Sequence, residues 1–319
     1  MDKKLIVSSS PHISAKTKTR NIMLDVIIAL IPAVIASVVV FGPRSLVVIA
    51  ATVAASVLSE YVCRKVMKRE CTVGDYSAIV TGLLLALNLP SSIPIYIAVL
   101  GGVIAIVVVK QMFGGLGQNF VNPALASRII LMVSFPTAMT KWLAPMGWLS
   151  EGALNVDATT SATPLAIIAS GEGTLPSYMD MFLGNRGGCL GETCALALIL
   201  GGIYLIARKV ISPIIPVVYI AVVAAFSAIL GLDPLMAVLN GGLLIGAIFM
   251  ATDYVTSPLT NKGKVIYAIG CGLLTVLIRT FASLPEGVSY SIVLMNILTP
   301  HIENLTTPKA FGVRKEASK

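Results

Sequence analysis

The chain alternates long apolar runs with short polar breaks, and the runs recur too often for a soluble core. Ten of them stand out, at about 22–41, 45–63, 76–89, 93–112, 121–138, 191–207, 213–231, 235–251, 264–283 and 289–305. A helix that crosses the hydrocarbon core of a bilayer takes about 20 predominantly apolar residues. The pattern therefore predicts an all-α polytopic membrane protein of about ten transmembrane helices.

The one long polar interruption, 139–190, divides a first set of five runs (21–138) from a second (191–305), with polar segments at 1–20 and 306–319. An odd number of crossings in each half makes any internal repeat inverted in topology. One local similarity suggests such a repeat, between "DYSAIVTGLLLAL" from Asp75 in the first half and "DPLMAVLNGGLLIG" from Asp233 in the second. Each half also carries a segment interrupted by Gly, Pro or Asn: "FGGLGQNFVNPA" (113–124) and "ATDYVTSPLTNKG" (251–263). The expectation is two inverted repeats of five helices with interrupted helices.

Composition agrees with a bilayer. Hydrophobic residues make up 56% of the chain and charged ones only 12%, with a mean hydropathy of +0.90, whereas soluble domains are about a quarter charged. The net charge of +8 raises the question of nucleic acid, and its distribution answers it. Lys3, Lys4, Lys16, Lys18 and Arg20 precede the first run, Arg64, Lys65, Lys68 and Arg69 follow the second, and Lys309, Arg314, Lys315 and Lys319 follow the tenth. Lys110, Arg208, Lys209, Lys262 and Lys264 fall on the same side, while Arg44, Lys141 and Arg186 are the exceptions on the other. This is the positive-inside bias of a membrane protein, without the aromatic platforms of a nucleic-acid surface. It places both termini in the cytoplasm and 139–190 outside. The polar first twenty residues lead into a full-length span, which argues against a cleavable signal peptide.

Cys63, Cys71, Cys189, Cys194 and Cys271 form no C-x-x-C pair and have no histidines nearby, so packing is their expected role and no metal site is expected. His12 and His301, near the termini, read as surface or interface residues. Among charges near the apolar runs, Asp25, Arg279 and Glu303 sit close to interfaces. Arg128 lies inside a short fifth span, where an ionised group is a functional hypothesis by default.

The segment most suggestive of chemistry is "DATTSATPLA" (157–166). It resembles the flavinylation signature D-x-x-[ST]-G-A-T, in which a flavin transferase moves FMN from FAD onto the final threonine as a phosphoester. Asp157 takes the acidic position, Thr160 the hydroxyl, Ala162 the alanine and Thr163 the acceptor, with Ser161 in place of the usual glycine. An acceptor needs a reachable hydroxyl among small residues in a loop. The same residues also suit a helix start capped by Thr160 or Ser161, with Pro164 in the first turn.

Taken with "FGGLGQNFVNPA", "GGCLGETCALALILGG" (187–202) and "ATDYVTSP" (251–258), the chain from about 15 to 308 resembles the membrane subunits of Rnf complexes and of sodium-translocating NADH:quinone reductases, nearest to the D subunits of the former. That family couples electron transfer between ferredoxin and NAD to movement of Na+ or H+, and the resemblance implies a bacterial or archaeal cytoplasmic (inner) membrane. The resemblance implies covalent FMN on Thr163, a noncovalent riboflavin, and a subunit that is not a complete enzyme alone. The chain has no dinucleotide-binding fingerprint and no cluster-binding cysteine set. The implied partners are therefore the other Rnf subunits (iron–sulfur and flavin-carrying membrane subunits, and those that interact with NADH and ferredoxin) and a flavin transferase. Riboflavin is expected near Gly114, Gly115, Asn119 and Asn122, where glycine lets backbone approach a planar ring and amides match its edge, with Arg128 near enough to bias its charge. Two other classes stand beside this one: a secondary transporter or channel of inverted-repeat architecture, and a scaffold without cofactor.

Overall fold

The computed structural model describes residues 18–146, 163–165, 167, 176–282 and 287–308. Asp157, Thr160, Ser161 and Ala162 lie outside the described residues. Those that are described form helices, with no strand and a single isolated bridge between Pro90 and Cys189.

Each apolar run of the sequence forms helix. In the first half these are α1 (Thr19–Phe41), α2 (Pro43–Val66), α3 (Ser77–Leu87), α4 (Ile95–Val103) and α5 (Pro123–Ser134), followed by one turn, α6 (Pro136–Met139). The short α7 (Tyr178–Leu183) leads to α8 (Ala195–Ala207) and α9 (Ile214–Ile229). Then come α10 (Pro234–Leu239), α11 (Leu243–Ile245), α12 (Asn261–Phe281) and α13 (Val288–Thr306). Among the described residues, α1, α2 and α12 are long and apolar enough by themselves to cross a membrane, and shorter apolar helices accompany them.

Where the sequence reads one continuous run at 235–251, the structure breaks it. Helix α10 stops at Leu239, Asn240 is extended, and Gly241 takes φ +61. Arg279 of α12 donates to the carbonyls of Ala237 (2.7 Å) and Asn240 (2.9 Å). It thus satisfies acceptors that the end of a helix leaves unpaired, with a cation on the favoured end of its dipole. Two helices pass into π-helical turns, α4 at Ile104–Gln111 and α11 at Gly246–Met250. Both turns run directly into the interrupted segments, and such turns often mark functional sites.

Small residues set the packing, as expected where apolar surface alone gives helices little reason to associate in lipid. A Cβ on Gly201 of α8 would lie 2.2 Å from the Ala29 carbonyl oxygen of α1. One on Gly82 of α3 would lie 2.8 Å from Ser56 Oγ of α2. Leucines 30, 85, 87 and 89, with Tyr219 and Tyr267, fill the interior, while many large apolar side chains face outward, among them Ile35, Val62, Val133 and Val217.

Hydrogen bonds define the two ends of the bundle. At one, Arg20 reaches Tyr76, Arg69 reaches the Gly114 carbonyl, Arg208 pairs with Asp25, and Thr260 meets Thr306. At the other, Arg44 holds the carbonyls of Ser91 and Ser92, Ser92 reaches Lys141, and Tyr178 bonds Asp233. Thr163 stands at this second end.

Candidate functional site

Thr163 is half-buried and opens a helical turn in which Ile167 N–H donates to the Thr163 carbonyl at 3.0 Å. Pro164 follows it, where its missing N–H costs a helix nothing. Thr163 lines a small hollow, about 370 Å³ with its open mouth included, together with Arg186, Gly187, Gly188, Glu192, Thr193 and Gly241.

Arg186 is 5% exposed. Its Nη1 donates to Asn240 Oδ1 at 3.1 Å and its Nη2 to the Glu192 carbonyl at 2.7 Å. Burial pulls its pKa down to about 10; the Glu192 carboxylate opposes that shift and Arg279 adds to it. The guanidinium therefore stays protonated at neutral pH. Thr193 and Asn240 are buried too, and Thr193 Oγ1 and Asn240 Nδ2 have no hydrogen-bond partner among the described residues. A cation beside two donors in want of an acceptor fits an anionic oxygen, such as the phosphate of a phosphoester on Thr163.

Arg128 turns toward this end and away from the segment 113–122. Its Nη1 donates to Asn88 Oδ1 (2.9 Å) and Ser289 Oγ (3.0 Å), and its Nη2 lies 3.3 Å from Cys189 Sγ and 3.1 Å from Glu192 Oε1. The last contact is close enough for an ion pair yet off the line of a hydrogen bond, since Glu192 Oε1 accepts none. Glu192 also explains Gly242, whose Cβ would sit 2.6 Å from the carboxylate.

The opposite end holds a larger cleft of about 800 Å³, its open mouth included, between the two interrupted segments. Asn119 and Asn122 line it from one side and Thr252 and Asp253 from the other, with Lys110 and Ser77 at its margin. Asn122 is positioned by its own helix. Its Oδ1 accepts from the N–H groups of Ala124 and Leu125 and caps α5, with Pro123 in the first turn. Its Nδ2 donates to the Met250 carbonyl at 3.3 Å, joining the two halves of the chain.

The structure thus brings Asn119 and Asn122 together on a cleft, and sets Gly114, Gly115 and Arg128 apart from it. The glycines serve a left-handed turn, with φ +123 at Gly114 and +105 at Gly115. A Cβ on Gly115 would lie 2.3 Å from Arg64 Nη2, so this glycine makes room for a guanidinium.

Beside the cleft lies a polar cluster that the apolar pattern hid. Glu60 of α2 is fully buried and accepts from Lys110 Nζ (3.1 Å), Gln111 Nε2 (2.8 Å) and Thr72 Oγ1 (3.0 Å); Lys110 also reaches Ser77 Oγ at 2.6 Å. The one signal in the sequence is a carboxylate near the end of an apolar run, "SVLSEYVC". Arg186, Glu192 and Asn240 gave no comparable signal.

Residues 6–312 match the model of the NQR2, RnfD, RnfE family. The chain is 50% identical over 315 residues to the D subunit of the Na(+)-translocating ferredoxin:NAD(+) oxidoreductase complex of Acetobacterium woodii, covering 98% of this chain and 96% of the relative. It is 46% identical to the D subunit of the proton-translocating ferredoxin:NAD(+) oxidoreductase complex of Clostridium ljungdahlii, covering 97% and 96%. It is 33% identical to the D subunit of the ion-translocating oxidoreductase complex of Escherichia coli, covering 97% and 99%.

Proposed function

Because this chain belongs to the NQR2, RnfD, RnfE family, we propose that it passes electrons through two flavins, FMN esterified to Thr163 and riboflavin in the Asn119–Asn122 cleft, as the membrane subunit of an ion-translocating ferredoxin:NAD oxidoreductase. It is a multi-pass membrane protein and a subunit of an oxidoreductase complex. The other Rnf subunits bring the NADH, ferredoxin and iron–sulfur sites, and a flavin transferase loads Thr163. Ten crossings, arranged as two inverted sets of five, account for the ten helical runs. The named relatives differ in their ion, Na+ in one and protons in another, and the coupling ion here is one of these two.

The observation that carries this reading is the position of Thr163. Arg20, Lys65, Lys68, Arg69, Arg208 and Lys209 gather at the far end of the bundle, and the positive-inside rule makes that end cytoplasmic. Thr163 is then extracytoplasmic, beside a hollow with a buried arginine. In flavinylation the Thr163 oxygen forms a bond to the flavin-side phosphorus of FAD, the pyrophosphate bond breaks, AMP leaves, and the threonine proton passes to a base of the transferase.

When bound, the flavins supply the redox chemistry. The chain holds them and controls water access. Beyond the bonds these amides already make, the Asn119 carbonyl oxygen and the second N–H of the Asn122 amide are left for a ring edge, and riboflavin, which has no phosphate, needs no cationic clamp there. Irregular backbone at this depth is tolerated because it lines a protein cleft. A denaturing gel tests the covalent flavin. Protein made with its transferase should fluoresce as a band and Thr163→Ala should not. A dark wild-type band would contradict the reading.

A further inference from the structure

The hollow beside Thr163 contains more hydrogen-bonding capacity than its own residues use. Thr193 Oγ1 is buried, 1% exposed as a residue, and has no partner among the described residues. Asn240, fully buried beside Arg186 but outside the lining of the hollow, accepts from Arg186 through Oδ1, and its Nδ2 has no such partner. Leaving a buried polar group unsatisfied is costly, and here two lie near a buried cation. The acceptors Arg186 does reach, Asn240 Oδ1 and the Glu192 carbonyl, are both neutral. The nearby carboxylate of Glu192 is matched by Arg128 at 3.1 Å. What would satisfy hydroxyl, amide and guanidinium together is an anion with several acceptor oxygens. Gly187 and Gly188 line the same hollow without side chains, and a Cβ on Gly188 would meet only Thr193 Cγ2, at 3.5 Å.

We propose that Thr193 and Arg186, the latter held by Asn240, anchor the phosphate of the group carried on Thr163. The proposal rests on the reading that Thr163 bears FMN by a phosphoester. A flavin on a single ester has many rotatable bonds between ring and backbone. Fixing the phosphate removes those nearest the protein and confines the ring to one side of the hollow. Arg186 and Thr193 are therefore positioning residues: the transferase reads the 157–163 segment, and the anchor acts after the ester has formed. A positive charge with a fixed donor holds one phosphodiester better than either alone, and Lys in place of Arg186 keeps the charge while losing the paired donors.

The test uses full-length protein made with its flavin transferase and purified in a phosphorus-free detergent. Peptide mass spectrometry first establishes FMN on Thr163 in each variant. The phosphodiester resonance in the ³¹P spectrum, assigned by its loss in Thr163→Ala, then reports the anchor. Arg186→Gln and Thr193→Val should each move it toward its position in the proteolysed flavinyl peptide, and Arg186→Lys should move it less. Thr193→Val removes an unpartnered hydroxyl, so a purely structural role would leave the resonance in place. It also decides the matter if Arg186→Gln fails to fold. Folded, flavinylated variants whose resonance stays at the wild-type position would overturn the anchor while leaving FMN on Thr163 intact. Wild-type protein without FMN would overturn both.

Discussion

Arg128 of α5 and Glu192, just ahead of α8, face each other at 3.1 Å with both side chains buried, so an ion pair joins the two halves of the chain. Removing one partner of a buried pair typically costs about 3–5 kcal/mol, because the survivor is left uncompensated. Arg128→Met should fall near the lower figure, since Arg186 still offsets part of the Glu192 charge. The double variant Arg128→Met/Glu192→Gln should recover part of the loss. Thermal unfolding in detergent checks this: a double variant no more stable than the single would count against the pair.

How far the sequence alone reaches varies along the chain. Apolar runs long enough to register as spans form helices because burial in lipid demands paired backbone, and Asn122-Pro123 announces its helix start by local chemistry. The break after Leu239 is illegible, since it depends on Arg279, about forty residues further on, capping two carbonyls. Arg128 stands out as a charge within a span, but its partners Asn88, Glu192 and Ser289 come from three separate segments. Gly115 reads in sequence as room for a ligand, and the tertiary fold puts Arg64 there. Pairings made across the bundle leave no periodic trace.

The cleft beside Asn119 and Asp253, the proposed riboflavin site, gives a separate expectation. Asn119→Leu should release the acid-extractable riboflavin, because a branched apolar side chain replaces a buried amide on the cleft wall, while FMN on Thr163 remains. Chromatography of the extract counts one flavin apart from the other. Stoichiometric riboflavin in a folded Asn119→Leu protein would place its site elsewhere. Gly115→Leu is the poorer probe, as it strains a left-handed turn and displaces Arg64.

Acid should weaken the end of the bundle where Tyr178 meets Asp233. Hydrogen bonds from the Tyr178 hydroxyl, then from the N–H groups of Met236 and Leu235, hold its carboxyl below the usual value. A carboxyl lowered by folding stabilises the protein fully above its unfolded value of about 4, and that contribution is lost as pH falls through the lower folded value. Melting curves should therefore separate wild type from Asp233→Asn at neutral pH and converge in strong acid. A gap that persists unchanged in acid would contradict this.

The orientation predicts opposite accessibilities for two exposed lysines. In a cysteine-free background, a cysteine replacing Lys141 should react with a membrane-impermeant reagent added to intact cells, and one replacing Lys68 should react only after lysis. The reverse pattern would invert the topology.

If Thr163 carries FMN, peptide mass spectrometry will find the flavin there. Protein made with its native transferase, digested and sequenced by fragmentation, should show the 157–166 peptide heavier by one FMN less one water, with the added mass on Thr163. That peptide at its unmodified mass, from cells whose transferase demonstrably loads another substrate, would show that Thr163 is not the acceptor.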